Sequence, residues 1–488
     1  MNINLSYYLT ILFLLTSFSI SAQYNRYWSN SFNTDASLLS GAVVGGGSGI
    51  TAIYYNPAQI ADISYKKFAI TANIFSFYNT NFKNALVEGE KTSDLKFRVQ
   101  PRFVAYLLRP EKWKNTSIEI CTFTRDSYKY EQLSRSVREV DVIATYPGDE
   151  EFIGDFYYRC EYEDYWIGGG IARELSPKWK FGVSGFYSYS YIRYNYNVTT
   201  RAYNLDNKSL DLVEYNYNHY ISGFTSKILF KGGLTYSGDK WQFGMAVTTP
   251  SMRITGSSTV SREVSTHNIH NQDGSRKEDL LITDQQLKLR TNFKTPFSLS
   301  LGTKRSFKKH SIYLSAEYFG GIDSFAMINQ TQNQVLSSGS GYSIPSDNWL
   351  GVSSKREGIT NIAFGWRGDI NDHLELMGGF RTDFSFDKYN GAHDYHNPAE
   401  IITPSIDQYH FTSGVEFEFL HSDVIIGIQY SYSKDQHLEQ FADFSDPIEY
   451  DPSTNTILQG YRNNSMSIWE NTMSIFLGFT YNINNQGN

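Results

Sequence analysis

Residues 473–483 read Met-Ser-Ile-Phe-Leu-Gly-Phe-Thr-Tyr-Asn-Ile. Met473, Ile475, Leu477, Phe479, Tyr481 and Ile483 share one face, and Ser474, Phe476, Gly478, Thr480 and Asn482 share the other. A period of two is that of an extended strand with one apolar side. The pattern recurs upstream in Val424, Ile426, Ile428, Tyr430 and Tyr432, in Tyr409, Phe411, Val415 and Phe417, in Trp241, Phe243, Met245 and Val247, and in Trp179, Phe181, Val183, Tyr187 and Tyr189. The alternate faces carry charge, including Glu375, Arg381, Asp383, Glu416 and Glu418. Such a face suits bulk water outside a sandwich or the lumen of a membrane barrel, so alternation alone does not separate the two.

Connection lengths do. Candidate strands fall at 66–78, 94–109, 115–128, 156–173, 178–198, 218–236, 241–257, 283–304, 310–320, 346–368, 373–387, 405–419, 424–433 and 468–483. Short links such as 110–114, 175–178, 237–240, 306–310, 369–373 and 420–423 alternate with long ones such as 129–155, 258–282 and 434–467. Short turns at one end, long loops at the other and an even strand count belong to outer-membrane barrels. The expected fold is all-β: a transmembrane antiparallel β-barrel of about 14 strands. Trp179 and Trp241 follow short turns, and Tyr187, Tyr189, Tyr191, Tyr430 and Tyr432 lie toward the long-loop ends, as interfacial girdles require.

Composition agrees. Aromatic residues make up 16% of the 488, too many for a chain that avoids burial. The mean hydropathy of −0.41 excludes a bundle of apolar membrane helices. A net charge of −7 disfavours a nucleic-acid partner. Residues 1–22 hold no Asp, Glu, Lys or Arg, carry an apolar stretch at 11–15 and end in Ser21-Ala22, which reads as a secretory signal peptide cleaved before Gln23. Localisation in the outer membrane of a Gram-negative-type cell follows. The two cysteines, Cys121 and Cys160, fall on neighbouring candidate strands, and export allows a disulfide between them.

Residues 23–65 do not alternate. An apolar stretch at 36–44 suits a short helix, Gly45, Gly46, Gly47 and Gly49 break it, and Asn56-Pro57-Ala58 pairs an N-cap residue with proline at the first helical position. Leu38, Leu39, Val43, Val44, Ile50, Ile53 and Ile60 need burial. The barrel lumen supplies it, making 23–65 an N-terminal hatch, or plug, and 66–488 the barrel; a periplasmic cap is the alternative.

The order Ala36-Ser37, Gly41-Ala42, a glycine run and Ile53-Tyr54-Tyr55-Asn56-Pro57-Ala58, together with Lys-Thr-Pro-Phe-Ser-Leu-Ser-Leu-Gly-Thr at 294–303, resembles the FadL/TodX family of outer-membrane transporters of hydrophobic compounds. The resemblance implies a 14-stranded barrel whose hatch carries Asn56, Pro57 and Ala58. It also implies passage of long-chain fatty acids or similar lipophiles, with a lateral exit at a kinked strand. Residues 115–128 contain no Gly or Pro to mark such a kink, so Pro101 and Pro296 are the candidate irregular points. The alternative function within this resemblance is a secretion-system attachment or shuttle component.

Burial of an alkyl chain contributes about 0.8 kcal/mol per methylene, so the passage needs an apolar groove and little else. Candidate groove residues are Phe152, Phe156, Tyr157 and Tyr158, and Phe319, Phe325, Ala326 and Met327. Arg98, Arg102, Lys227, Lys231 and Arg381 are candidate lumen cations for an anionic head group, or else ion-pair partners holding hatch to wall. The chain has no Gly-x-Ser-x-Gly element, and His393 and His396 read as a solvated loop; no catalytic residue, metal or cofactor is expected. The expected partners are a hydrophobic small molecule, outer-membrane lipid and lipopolysaccharide, the protein acting as a monomer in passive uptake.

Overall fold

The computed structural model describes residues 26–28, 32, 34–63, 66–110, 112–113, 115–207, 210–331, 335–338, 349–387, 401–403, 405–419 and 422–483. The leader at 1–22 and the pair His393 and His396 lie outside them. The first six strands are β1 (Lys66–Lys83), β2 (Lys91–Leu108), β3 (Thr116–Val140), β4 (Glu150–Ser176), β5 (Trp179–Asn204) and β6 (Val213–Ser237). Then come β7 (Trp241–Thr248), β8 (Met252–His267), β9 (Leu280–Thr291), β10 (Ser298–Ser306), β11 (His310–Phe319), β12 (Ile322–Asn329) and β13 (Leu336–Ser338). The last are β14 (Val352–Arg356), β15 (Ile359–Asn371), β16 (Leu374–Asp383), β17 (Gln408–Phe419), β18 (Ser422–Leu438), β19 (Ile448–Asp451), β20 (Thr456–Gln459) and β21 (Met466–Ile483).

Neighbouring strands of the wall pair antiparallel, and β1 pairs with β21 from Lys66↔Ile483 to Lys83↔Ser467. That joins the first strand to the last and closes the sheet into a barrel. The wall has 14 positions, four of them built from two segments each: β7 with β8, β9 with β10, β11 with β12 and β14 with β15. The single candidate strands at 241–257, 283–304 and 346–368 are corrected accordingly. Pro250 and Pro296 sit in the interruptions between β7 and β8 and between β9 and β10, where a missing amide hydrogen is tolerated.

Strands β3 to β6 run 25 to 27 residues, far beyond the roughly 9–11 that cross a bilayer. The expected long loop at 129–155 is thus largely strand. The outward faces change character along these strands. Ile167, Tyr165, Phe181, Val183, Tyr187 and Tyr189 are exposed and apolar. Farther along, the same faces carry ion pairs: Arg135–Asp155 (2.6 Å), Arg201–Asp155 (3.1 Å), Arg201–Glu214 (2.6 Å) and Arg159–Glu161 (2.7 Å). Inside this outer extension the faces are reversed in character. Phe152, Phe156, Tyr158, Tyr194, Tyr196 and Tyr217 are buried against Phe441 and Phe444 from the long link after β18. Of these, Phe152, Phe156 and Tyr158 were expected to line a groove and are packed core instead, while Tyr157 points outward and donates to Glu131.

Cys121 and Cys160 are both free and buried. Cys121 pairs with Gly168 and Cys160 with Tyr130. Gly168 and Cys160 are eight residues apart on β4, about 26 Å along a strand. The disulfide is excluded by register.

Candidate functional site: a seated hatch and a split wall

Residues 34–63 lie within the lumen and are almost wholly buried. In place of the expected helix at 36–44 there is one turn of helix at Asp35–Leu38, because the chain turns at Ser40 and Gly41, both at positive φ. Asn56 caps a 3-10 helix at Pro57–Asp62, accepting from the Ala58 amide at 3.2 Å. Its side-chain nitrogen donates to the Val44 carbonyl (2.9 Å), the Leu234 carbonyl (3.3 Å) and Thr235 Oγ1 (3.1 Å). One amide therefore ties the hatch to itself and to β6. Gln59 Nε2 donates to the Val43 and Val44 carbonyls, and Ser48 Oγ donates to Gln59 Oε1 at 2.6 Å.

The hatch sits on glycines of the wall. A Cβ on Gly244 would overlap the Val44 carbonyl, one on Gly182 the Pro57 carbonyl, and one on Gly233 the Asn56 side chain. Gly302 faces Gly45 backbone to backbone. Backbone approach this close needs the side chain absent on the wall side. Gly47 (φ +85°) and Gly49 (φ +49°) turn the hatch chain. Around the rim, Lys231 donates to the Tyr54 carbonyl (2.7 Å), Ser184 to the Ile53 carbonyl (2.9 Å) and Thr412 to the Leu38 carbonyl (2.8 Å), and Lys180 pairs with Asp62.

Above the hatch the wall is split. β2 pairs with β3 only from Phe103↔Phe123 to Leu108↔Ile118. Beyond that point β2 continues on β1 and β3 continues on β4, and the two do not meet as strands. At this point β3 carries a bulge between Thr124 and Asp126, and the β1–β2 register shifts as well, between Thr71 and Ala72, which skips Arg102 of β2, and between Asn73 and Ser76. The bulge flips the phase of β3: Cys121 and Phe123 face inward below it, Tyr130 and Gln132 above it. Two side chains span the split, Arg98 donating to the Lys129 carbonyl and Lys96 to the Glu131 carbonyl (3.3 Å). The kink thus lies in the expected strand without Gly or Pro, produced by an extra residue, Arg125.

Behind the bulge is a lumen cavity of about 30 Å³, lined by Arg26, Tyr27, Arg125, Asp126, Tyr162, Asp164, Trp166, Thr295, Arg356 and Phe386. Tyr27 stacks between Phe319 and Phe386, with centroids at 4.2 and 4.5 Å. Asp164 accepts from Ser188 (2.6 Å), Ser190 (2.9 Å) and Trp166 Nε1 (2.9 Å), and lies 3.9 Å from Lys227. Asp383 accepts from the Trp28 amide (2.8 Å) and lies 3.6 Å from both Arg26 and His410.

The five candidate lumen cations separate. Arg98 is at the split, over the Tyr78 ring at 5.0 Å. Arg102 is buried beside it. Lys227 is engaged with Asp164 and the Phe293 carbonyl, Lys231 with Tyr54, and Arg381 with Gln429 at 3.4 Å. The cavity's own cations, Arg26, Arg125 and Arg356, were not among those expected. Arg125 had a sequence signal, since the inward phase shifts between Phe123 and Tyr128.

No protein-family model and no curated protein matches the sequence. Solved structures do match. A FadL homologue from Pseudomonas aeruginosa superposes with a TM-score of 0.55 at 11% identity, over 94% of this chain and 100% of that one. The toluene transporter TodX of P. putida gives 0.55 at 12%, over 93% and 99%. The monoaromatic hydrocarbon channel CymD gives 0.52 at 9%, over 94% and 99%. At this identity the likeness is one of architecture. The chain has the FadL-like fold, a closed 14-stranded antiparallel barrel with its N-terminal segment inside.

Proposed function

We propose that the chain is an outer-membrane channel for hydrophobic compounds, its residues 23–65 acting as the hatch. The observation that supports this most is the split between β2 and β3 directly outside the lumen cavity and above the seated segment. At about 30 Å³ the cavity has room for little more than a water molecule, so its side chains must part for a lipophile, whose sideways path then leads to the apolar wall residues Phe97 and Val99 on β2. The cavity pairs aromatic faces with Arg26, Arg125 and Arg356. Passage is passive and needs no catalysis.

The test is uptake of radiolabelled oleate and of toluene by cells carrying or lacking the gene. Faster uptake of either with the gene supports the reading; equal uptake of both overturns it. The secretion-accessory reading has one observation in its favour: the outer half of the barrel is filled by packed aromatics. Loss of an exported cargo with lipophile uptake intact would select it.

A further inference from the structure

On the outer surface of the barrel, away from lumen and split, lies a groove of about 700 Å³. Its floor is the outward face of β4 and β5 at Ile171, Phe181 and Val183, all exposed. Its end is the short turn between β2 and β3, which places Lys112 and Trp113 beside Arg173. The turn is held by the Trp113 amide donating to the Pro110 carbonyl (3.0 Å) and the Thr116 amide to the Trp113 carbonyl (3.2 Å). Thr116 pairs with Arg173, so the turn and the arginine are locked at one level.

The short turns mark the periplasmic end of such a barrel. The groove therefore lies in the periplasmic leaflet, with its apolar floor toward the bilayer centre and its two cations at head-group depth. Among the described residues no carboxylate pairs with Lys112 or Arg173, whereas Arg159, Arg193, Arg201 and Lys129 on the opposite rim are all ion-paired. Lys112 and Arg173 thus lie together, without a carboxylate partner, beside the exposed indole of Trp113. Arginine and lysine together satisfy a phosphate by charge-assisted hydrogen bonds, and an indole prefers the same depth.

We infer that this groove binds one anionic glycerophospholipid, with its phosphate between Lys112 and Arg173, its glycerol against Trp113 and one acyl chain over Ile171, Phe181 and Val183. A zwitterionic phosphatidylethanolamine brings its own ammonium to the same two cations and is disfavoured. The inference rests on the membrane-barrel fold and not on the uptake reading, so either can fail without the other.

The test uses the full mature chain, refolded into phosphatidylcholine vesicles doped with phosphatidylglycerol or phosphatidylethanolamine carrying brominated chains. Bromine quenches nearby indoles, and subtraction of a Trp113→Phe variant isolates the Trp113 emission. Half-maximal quenching is expected at an about tenfold lower mole fraction of phosphatidylglycerol than of phosphatidylethanolamine. A Lys112→Gln/Arg173→Gln double variant should lose that preference while keeping its heat-modifiable gel mobility, the sign of a closed barrel. Equal quenching by the two lipids, or a preference that survives in the double variant, overturns the inference.

Discussion

Gly232 and Gly233 are adjacent on β6 and face opposite ways. Around a Cβ on Gly232 nothing lies within 4 Å, whereas one on Gly233 would strike the Asn56 side chain and Pro57. Gly233→Ala should therefore unseat the hatch and Gly232→Ala should not. Hydrogen exchange over residues 44–62 is the measurement: fast in the first variant, at the wild-type rate in the second. Asn56→Ala tests the same seat from the other side. It removes donors to three acceptors and one cap, worth roughly 2–4 kcal/mol of seating together. Exchange at 44–62 should rise while the barrel strands stay protected. Asn56-Pro57-Ala58 was legible in the sequence because capping chemistry is local. Its glycine partners were not, because Gly182, Gly233 and Gly244 gain meaning only when another chain is laid against them. The cysteines failed for the same reason: two strands can be neighbours without two residues being so.

At the scale of the element, sequence pattern located the strands and missed their ends. The lengths were read against a bilayer, yet β4 and β5 continue to alternate beyond it with Tyr158, Tyr194 and Tyr196 inward, since a core of loops lies there as well. At the split between β2 and β3, the inserted residue on the β3 side is Arg125. Deleting Arg125 restores the register of β3, lets it pair with β2 past Phe103 and should bring lipophile uptake to near background with the hatch still protected. Uptake that survives the deletion would place the exit elsewhere. The hairpin of β19 and β20 gives a pH prediction. Tyr461, Ser453 and Thr454 all donate to the Asp451 carboxylate, which brings its pKa from 3.8 down to about 2, the Tyr461 bond (2.6 Å) weighing most. A depressed acid stabilises the folded loop fully above 3.8 and loses that contribution as pH falls toward 2. Amide exchange in 448–461 should thus be flat from neutral pH to about 4, after correction for intrinsic rates, and rise below it. Asp451→Asn should remove the pH dependence.

For the whole molecule, two halves of one barrel are closed by different means. The half with the short turns is shut by hydrogen bonds and backbone contact, the half with the long links by packed rings. Phe441 is the centre of the second closure: its ring lies 5.4 Å from those of Phe156 and Tyr158 and 5.7 Å from Phe82, and its amide donates to the Ala85 carbonyl. Phe441→Ala leaves a cavity among these rings and should cost about 3–5 kcal/mol. The barrel wall does not depend on it, so the cost falls on the docking of residues 438–460, which should become sensitive to added protease on whole cells. Uptake then tells what the packing is for. If lipophiles enter past this cluster, loosening it should raise the initial rate of oleate uptake. An unchanged rate with a cleavable loop would mean that the cluster is a fixed lid and that ligand reaches the cavity sideways, through the split, in both directions.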